Sequence, residues 1–470
     1  MKRVRLLGST PSQLKVSLYI GTILWIASAL RHYLLHSTGF DLGIYDQVAW
    51  QISRGFQASS TLLGLHHLGN HGAWAFYLIG LPYKIWPNIQ WLLASQAMAL
   101  SLTALPLAAI ARQSGLKQTL SWLVCILWWL QPQVFNTNLF DFHPEVWSMP
   151  ALAGAILFSR QNKPLPWFAC LIWLLGCRDG LTLIVIGLGF SELINRRWRW
   201  GLTAIGLGFS WLIFLSEYLY PWINGNSSGP AALANFSSLG DSVPSILIGF
   251  VQQPWMLLKI VPWAETPFYL LLLTVPTVLF WRRNSLPILA SALPLLMVNV
   301  LSSNTAQRDL NYHYNLSFAV IAVVASIDGL RSSGCQRWPF RRLIWTAICW
   351  ATLAKPWFFT GHYLNRISQL ENVTEAIRLI HPENHVLTSN YLSPQLTHKK
   401  VIHTIDIGSQ TKILNLDYFD VVLLNPEDSK VKRTEKQQQI RLVSLAKKLH
   451  WQCKKWNSGL ELCKNDSELK

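Results

Sequence analysis

The sequence predicts an all-α polytopic membrane domain followed by a small soluble α/β domain. Apolar residues make up 51% of the 470 residues and charged residues only 13%, whereas a soluble domain of this size is about one quarter charged. Apolar runs close to the ~20 residues that cross a bilayer recur from Leu14 to Phe359. Beyond that point charges return and no run is long enough to span. We therefore expect a membrane domain over 1–361 and an extracytoplasmic domain over 362–470.

The basic residues of the membrane domain predict its orientation. They concentrate in alternate short loops, and the longer loops between them hold few. Short cytoplasmic loops are the ones that carry Lys and Arg, so the N-terminus is expected in the cytoplasm and the tail outside the cytoplasmic membrane. This pattern accounts for the formal charge of +17, and a nucleic-acid partner is not expected. The basic residues assigned to the cytoplasmic side are Lys2, Arg3, Arg5, Lys15, Arg112, Lys117, Arg160, Lys163, Arg196, Arg197, Arg199, Arg282, Arg283, Arg331, Arg337, Arg341 and Arg342.

The same pattern predicts about eleven transmembrane helices. The apolar run 73–87 is short and ends at Pro87, so we assign it to a helix lying at the interface. Counting it as a span would invert every later loop. Trp residues near predicted helix ends, such as Trp128, Trp198 and Trp357, are typical of the water–lipid boundary. The predicted spans are 16–34, 89–111, 119–135, 146–159, 165–177, 180–195, 200–220, a helix ending before Arg282, 286–303, 314–330 and 343–359.

The tail is predicted to be a small sheet with one amphipathic helix. The runs 386–388 and 421–424 are apolar and suit strands, and 431–448 suits a basic helix. A hairpin with Cys453 and Cys463 closes the chain. These two residues either form a disulfide outside the cytoplasm or are unrelated thiols. The apolar positions of the predicted helix are Ile440, Leu442, Val443, Leu445 and Leu449.

Ionisable residues gather in the loops predicted to lie outside. Placing an ionisable side chain at membrane depth costs free energy, so such residues are first interpreted as functional. The cytoplasmic loops, in contrast, are basic and otherwise plain. The outer residues are Asp41, Asp46, His66, His67 and His71 in the first loop, Asp141, His143 and Glu145 after the third span, Arg178 and Asp179 after the fifth, and Arg308, Asp309, Tyr312 and His313 after the ninth.

The two acidic motifs differ in spacing. Asp41 and Asp46 are five residues apart and would not share a helix face closely, so one could serve a reaction and the other hold structure. Asp141, His143 and Glu145 alternate, so an extended segment would point all three the same way. That arrangement suits metal ligands or a carboxylate–imidazole hydrogen-bond set. Alternatively the segment is an interfacial turn.

One further residue and two residue pairs have structural explanations. Pro144 would start the fourth span if the segment around it is a turn. For Arg178 and Asp179 taken alone, a local ion pair is favoured. For His66 and His67, a solvated loop is favoured.

At these motifs the chain resembles the GT-C superfamily of membrane glycosyltransferases, which includes oligosaccharyltransferases, protein mannosyltransferases and aminoarabinose lipid A transferases. Within it, the chain most resembles an uncharacterised bacterial family of predicted membrane proteins. Asp41-Leu-Gly-Ile-Tyr-Asp46 stands where the GT-C first loop has its essential acid. Asp141-Phe-His-Pro-Glu145 stands where the second acidic motif, often D-x-D or D-x-E, is found. In this chain His143 lies between the two acids, Asp141 and Glu145, which are four residues apart.

The resemblance implies a polyprenyl-phosphate-linked sugar donor and an acceptor that is a lipid, a glycan or a protein. It implies catalytic roles for Asp41, Asp46, Asp141 and Glu145, with Asp41 either as general base toward the acceptor hydroxyl or orienting that hydroxyl. Donor phosphate would be held by Arg308, or less favourably by Arg178, with His313 or His143 assisting departure of the phosphate. The remaining cavity residues would be His71, His143, Asp179, Asp309 and Tyr312.

The resemblance leaves the metal requirement open, since some GT-C branches need a divalent metal and others do not. If Mg²⁺ or Mn²⁺ is used, the ligands would come from Asp41, Asp141, His143 and Glu145. Two alternative functions also stay open: a transporter or lipid flippase, and a non-catalytic GT-C-like scaffold. Against transport, the polar residues crowd the outer side, whereas transporters place their sites near the midplane.

Overall fold

Helices make up most of the regular structure in the computed structural model, which describes residues 10–225, 231–237, 240, 242–332, 339–405, 416–428 and 431–465. Lys2, Arg3, Arg5 and Arg337, which entered the orientation argument, lie outside the described residues. The α-helices are α1 (Pro11–Tyr33), α2 (Ile44–Arg54), α3 (His67–His71), α4 (Gly80–Ile85), α5 (Gln90–Leu102), α6 (Ala104–Gln113), α7 (Gln118–Trp129), α8 (Pro132–Leu139), α9 (Met149–Arg160), α10 (Pro164–Cys177), α11 (Thr182–Ile194), α12 (Trp198–Ile213), α13 (Tyr220–Asn224), α14 (Val243–Gln252), α15 (Pro254–Ile260), α16 (Thr266–Thr274), α17 (Leu286–Leu289), α18 (Leu293–Leu301), α19 (Leu316–Arg331), α20 (Pro339–Leu353), α21 (Leu370–Arg378) and α22 (Arg433–Lys448).

Five helical stretches of the described residues are long and apolar enough to cross a membrane, and α7 and α10 are shorter apolar helices. The count of about eleven spans stays a prediction. The predicted third span, 119–135, is divided into α7 and α8 because Pro132 starts a new helix. The five stretches are Pro11–Tyr33, Gln90–Gln113, Trp198–Asn224, Arg283–Leu301 and His313–Arg331.

The chain divides into two compact units. Unit 1 comprises Met1–Ile26, Leu68–Phe76 and Leu93–Pro356, and unit 2 comprises Ala27–His67, Tyr77–Leu92 and Trp357–Lys470. Unit 2 therefore contains most of the first predicted outer loop as well as the tail. The predicted domain boundary at residue 361 assigns that loop to the membrane domain instead. In the predicted interface segment the helix is short and interrupted, with a 3₁₀ turn at Trp74–Ile79 followed by α4.

Of the five stretches, the one that ends in α19 is the most enclosed, with 89% of its apolar window buried. Small residues allow this close packing. A Cβ at Gly329 of α19 would overlap the carbonyl oxygen of Phe280, and a Cβ at Gly187 of α11 would overlap that of Ser291. Trp128 is also fully buried and donates to the carbonyl of Leu100 at 2.6 Å. Its assignment to the interface was therefore wrong, while Trp198 and Trp357 are exposed.

Unit 2 is built around a five-stranded sheet of order β4-β3-β5-β7-β6. β3 pairs in parallel with β4 and β5, and β7 pairs antiparallel with β5 and β6. Both predicted strands and the predicted helix are confirmed as β3, β5 and α22. The strands are β1 (Ser59–Ser60), β2 (Leu65–His66), β3 (Val386–Thr388), β4 (Ile402–Thr404), β5 (Val421–Leu424), β6 (Gln452–Lys455) and β7 (Glu461–Lys464).

Helix α22 buries a narrower face than its sequence predicts. Leu442 and Val443 are buried against the sheet together with Ala446, whereas Ile440 and Leu445 are exposed. Leu449 is exposed as well. The predicted apolar face was therefore partly wrong, because a short helix on one face of a sheet covers only about one side of its circumference.

Cys453 and Cys463 form a disulfide across the hairpin β6–β7, where they face each other in register with their Cα atoms 4.0 Å apart. This decides between the two alternatives left open by the sequence. The other described cysteines are Cys125, Cys170, Cys177 and Cys349, and all are free. Disulfides persist in oxidising compartments, so the bond favours the predicted extracytoplasmic tail.

We expect thiol counting to find this bond in protein made in its native membrane. Under denaturing conditions, maleimide–polyethylene glycol should label two more cysteines after reduction than before. The variant Cys463→Ser should gain one reactive thiol, Cys453, without reductant. Equal labelling before and after reduction would show that the tail lies in a reducing compartment.

Candidate functional site

The second acidic motif is a turn held by one glutamine of α5. Gln96 is fully buried and donates to the carbonyl of Asp141 at 2.5 Å, while its Oε1 accepts the backbone N–H of His143 at 2.9 Å. Asp141 adopts a left-handed backbone with φ 53°, a conformation that aspartate tolerates better than most residues. The alternating, extended arrangement predicted for Asp141, His143 and Glu145 is therefore wrong. Pro144 instead opens a 3₁₀ turn, Pro144–Ser148, that runs into α9, as the alternative predicted.

Three predicted site residues of unit 1 meet in one buried cluster. Arg178 follows the last residue of α10, Glu145 lies in the 3₁₀ turn before α9, and His313 precedes α19. The Arg178 guanidinium donates to Glu145 Oε1 at 2.6 Å and to His313 Nε2 at 2.8 Å. Glu145 and His313 are each about 95% buried. A charge-assisted pair at this depth is strong because no water competes for it.

His313 Nε2 lies between two groups of the cluster, the Arg178 guanidinium at 2.8 Å and Glu145 Oε1 at 3.2 Å. A guanidinium carries only donors, so Nε2 accepts from it in the tautomer that has the ring proton on Nδ1. His313 Nδ1 and Glu145 Oε2 are both buried and have no hydrogen-bond partner among the described residues. A buried polar atom without a partner is costly. The cluster therefore presents one imidazole nitrogen and one carboxylate oxygen that a bound polar group would satisfy.

Aromatic rings enclose the cluster. The imidazoles of His143 and His313 stack with ring centroids 3.8 Å apart and an interplanar angle of 28°. The Phe140 ring lies 5.3 Å from that of His143 and 6.0 Å from that of His313, and it meets the Tyr312 ring at 4.5 Å with an interplanar angle of 76°. Tyr314 lies 4.1 Å from His313. This surrounding lowers the local dielectric, which strengthens any ionic interaction inside it.

Asp179 belongs to a second set of contacts beside the first. It pairs with His71 Nδ1 at 3.3 Å and accepts from the Tyr220 hydroxyl at 2.9 Å. Burial alone would raise the pKa of Asp179, but His71, Arg178 and Tyr220 favour the carboxylate and hold this pKa below its usual value. Arg178 and Asp179 are thus more than the local ion pair that the sequence favoured, since each reaches a different set of partners.

Arg308, the favoured phosphate ligand from sequence, is engaged in holding structure. Its guanidinium donates to the carbonyl oxygens of Asn299, Val300 and Ser302 and pairs with Glu265 at 3.1 Å. It thereby caps the C-terminal end of α18, where helix carbonyls lack partners. A phosphate-binding role for Arg308 or Arg178 stays a prediction, and Arg178 is the one of the two that contacts Glu145 and His313.

Asp309 and Tyr312, in the same loop as Arg308, make different kinds of contact. Asp309 Oδ1 accepts the backbone and side-chain N–H groups of Asn311 at 2.8 and 2.7 Å, which is a local turn contact. Tyr312 packs on Phe140 and so lies at the aromatic wall of the cluster. Of the two predicted cavity residues, only Tyr312 therefore touches the cluster.

The two acids of the first motif belong to unit 2 and differ in environment. Asp41 lies in a π-helical turn, Gly39–Gly43, and is half-buried. Asn390 anchors this turn by accepting the N–H groups of Gly39 and Phe40 at 2.7 and 3.1 Å. Gly39 also approaches Ser393 so closely that a Cβ would overlap its hydroxyl. Asp41 is therefore presented on a turn whose backbone is tightly held.

Asp46, in contrast, is 2% exposed and surrounded by partners. It accepts from the Tyr83 hydroxyl at 2.6 Å and from Thr397, and lies 3.2 Å from His398 Nε2. Asp46 is thus enclosed by partners, whereas Asp41 is half-buried on its turn. Which of the two acids serves a reaction stays a prediction.

The solvated loop favoured for His66 and His67 was wrong. His67 is buried and packs edge-on against Tyr45 and Tyr77, at centroid distances of 6.1 and 6.0 Å. His66 is partly buried, and this desolvation lowers its pKa.

Within the described residues, no three or more His, Cys, Asp and Glu side chains are grouped so that they could hold a metal ion. His143 is stacked on His313, and Glu145 Oε1 is engaged by Arg178. The proposed donor set of Asp141, His143 and Glu145 does not fit a divalent metal in this arrangement.

Sequence reasoning missed several residues that build these sites. Gln96 orders the acidic turn, Tyr220 supports Asp179, and Tyr83 with His398 encloses Asp46. Gln96 had a usable signal, since a polar side chain inside an apolar span is costly unless it is bonded. His398 had none, because its contact with Asp46 spans some 350 residues of sequence.

Comparisons with known proteins agree with this architecture. The chain matches the family described as "Predicted membrane protein (DUF2079)" over residues 31–462. No curated protein matches it. Among solved structures, ArnT from Cupriavidus metallidurans bound to undecaprenyl phosphate is 10% identical, with a TM-score of 0.51 over 98% of this chain and 99% of that chain. ArnT from the same organism in the apo state is 12% identical, with a TM-score of 0.43 over 95% and 98%. The first likeness shows a shared fold.

Proposed function

Because this chain belongs to the DUF2079 family of predicted membrane proteins and shares its fold with ArnT, we propose that it is a membrane glycosyltransferase of the GT-C type that uses a polyprenyl-phosphate-linked sugar. The observation that carries the proposal is the buried cluster of Glu145, Arg178 and His313. A charged arginine in an aromatic, water-poor surrounding suits a phosphate that must leave as an anion. The ArnT structure bound to undecaprenyl phosphate has the same fold and supports a polyprenyl ligand.

In the proposed reaction an acceptor hydroxyl attacks the anomeric carbon of the sugar in a single displacement that inverts the configuration. The hydroxyl proton passes to the carboxylate of Asp41, and a bond forms between the acceptor oxygen and the anomeric carbon. The bond between that carbon and the phosphate oxygen breaks, and its electron pair leaves with polyprenyl phosphate. Arg178 stabilises the departing phosphate, and the Nδ1–H of His313 supplies a second donor.

The polar loops are expected on the outer face of the cytoplasmic membrane. Alternate basic loops support this orientation, and so does the disulfide Cys453–Cys463. The acceptor would then be a lipid, glycan or protein exposed on that face.

Asp41→Asn tests the proposal most directly. Loss of the base is expected to slow release of polyprenyl phosphate by about 10²- to 10⁴-fold, since the amide keeps the shape and cannot take the proton. Purified, detergent-solubilised protein would be given a panel of polyprenyl-phosphate sugars, and released polyprenyl phosphate would be measured. Asp417→Asn, an exposed aspartate of the same unit, is the matched control and should behave as wild type.

Other results would point elsewhere. Equal release by the Asp41 variant would remove the base role from this residue. Donor that binds without release, in folded wild-type protein, would favour the scaffold. Failure of every donor to bind would favour a transporter or flippase.

We expect donor cleavage to continue in EDTA at close to the untreated rate, because the acidic turn does not group three metal ligands. The measurement is the same release assay after chelation and desalting. Loss of activity that Mn²⁺ or Mg²⁺ restores would contradict this and would return Asp141 and Glu145 to a ligand role.

A further inference from the structure

Unit 2 contains a polar cavity that the proposed chemistry does not use. Its volume is about 390 Å³, and its lining includes Asn88, Gln90, Gln395, Thr397 and His398. We propose that this cavity binds the neutral, hydroxyl-rich headgroup of a membrane lipid, which serves as the sugar acceptor. The acceptor role rests on the proposed transferase function, whereas the binding itself does not.

The chemistry of the lining favours neutral hydroxyl groups. Three residues with side-chain amides line the cavity, namely Asn88, Gln90 and Gln395, and the amide nitrogen of Gln395 lies 3.3 Å from Nε2 of His32, which also lines it. An amide offers both donors and an acceptor, which matches a hydroxyl that does the same. Oxygen-rich headgroups bind by many such contacts, and each contributes modestly.

The charged residues of the lining do not suit an anion. The ammonium of Lys399 is bound to the carbonyl oxygens of Ile380 and His381, at 3.3 and 2.9 Å. Asp46 lines the same cavity and is a carboxylate, since contacts with His398, Thr397 and Tyr83 hold its pKa below the usual value although burial alone would raise it. A fixed negative charge beside an engaged ammonium disfavours a phosphate headgroup.

His398 is positioned as part of the wall rather than as a loose surface residue. Its ring lies parallel to that of Trp50, with an interplanar angle of 9° and centroids 6.0 Å apart, and Tyr83 meets it edge-on at 6.4 Å. Its Nε2 faces Asp46 at 3.2 Å, while the side chain stays 35% exposed. A carboxylate that orients a half-exposed imidazole leaves the other ring nitrogen available to a ligand.

The position of the cavity along the chain points to a membrane lipid. His32 in the last turn of α1 lines it, as does Gln90, the first residue of α5. Both helices belong to stretches that are apolar enough to span a membrane, so these residues stand where such stretches end. The intervening segment exposes Leu81, Ile85 and Trp86 by 68%, 85% and 54%. Exposed apolar and Trp side chains beside helix ends are typical of the membrane interface.

Binding of a defined glycolipid tests the proposal. Full-length protein in detergent would be titrated with diglucosyldiacylglycerol, whose headgroup is a neutral disaccharide, and lipid adducts would be measured by native mass spectrometry. Gln395→Leu combined with Asn88→Asp should weaken binding by about tenfold, because two amide contacts are lost. Asn88→Asp keeps the oxygen that accepts the N–H of Gln90 at 2.9 Å and so keeps the start of α5. Gln437→Leu, an exposed amide on α22, is the control and should bind as wild type.

The outcomes separate this inference from the proposed function. Unchanged glycolipid binding by the double variant would overturn the cavity assignment even if donor cleavage depends on Asp41. A further outcome is that wild-type protein binds phosphatidylglycerol as tightly as the glycolipid, with binding that the double variant weakens. That result would overturn the assignment of a neutral headgroup. Displacement of the lipid by free disaccharide at the same concentration would show that a soluble sugar, not a lipid, is the ligand. Selective loss of glycolipid binding would support the inference even if no donor is ever cleaved.

Discussion

Replacing Arg178 with glutamine is expected to slow release of polyprenyl phosphate by about 10²- to 10³-fold, the usual effect of removing one preorganised donor from a developing anion. Arg178 contacts both Glu145, which lies in the turn before α9, and His313, which lies just before α19. Glutamine keeps a donor of similar reach and loses the charge. The release assay described for Asp41 measures the effect.

Two companion variants separate catalysis from folding. Arg178→Lys keeps the charge but loses the planar fork, so partial activity is expected. Arg160→Gln breaks another ion pair of unit 1, in which Arg160 donates to both oxygens of Asp328 at 2.7 Å. It should lower stability and leave the rate per folded molecule unchanged. If Arg160→Gln slows release as much as Arg178→Gln, the role of Arg178 is structural.

Replacing Arg366 with methionine is expected to destabilise unit 2 by about 3–5 kcal/mol, because a buried carboxylate is left without its partner. Arg366 pairs with Asp428 at 2.9 Å, donates to the carbonyl of Leu35 at 2.8 Å, and its guanidinium lies 3.9 Å from the centre of the Tyr391 ring. The side chains of Arg366 and Asp428 are only 10% and 1% exposed. One residue thus connects the end of the first predicted span with the tail.

Thermal unfolding of the full-length protein in detergent, followed by limited proteolysis of the tail, measures this effect. The matched control is Lys454→Met, which removes an exposed pair with Glu375. Exposed pairs contribute little, so its unfolding midpoint should match wild type. Equal midpoints for Arg366→Met and wild type would show that Asp428 finds another partner or protonates at little cost.

The sequence alone determined where the apolar helices lie, because that depends on properties read along the chain. A span needs a run of apolar residues, and its orientation depends on the charges at its ends. The helices Gln90–Gln113, Pro164–Cys177 and His313–Arg331 lie within a few residues of the predicted spans. The tail strands at Val386–Thr388 and Val421–Leu424 follow equally from local apolar runs.

The outer polar residues were also visible in sequence, since charges are rare in such a chain. Their individual roles were not, because a role depends on partners that are distant in sequence. Arg308 and Arg178 cannot be distinguished by residue type. In the structure Arg308 caps α18, whereas Arg178 contacts Glu145 and His313.

Only the tertiary structure decided which of these groups come together. Arg178 and His313 are 135 residues apart, and Asp46 and Thr397 are 351 apart. No local pattern encodes such contacts. They arise because buried polar atoms must find partners wherever the packing of apolar helices and strands brings them. The left-handed turn at Asp141, which broke the predicted alternation, likewise depends on a glutamine 45 residues earlier in the chain.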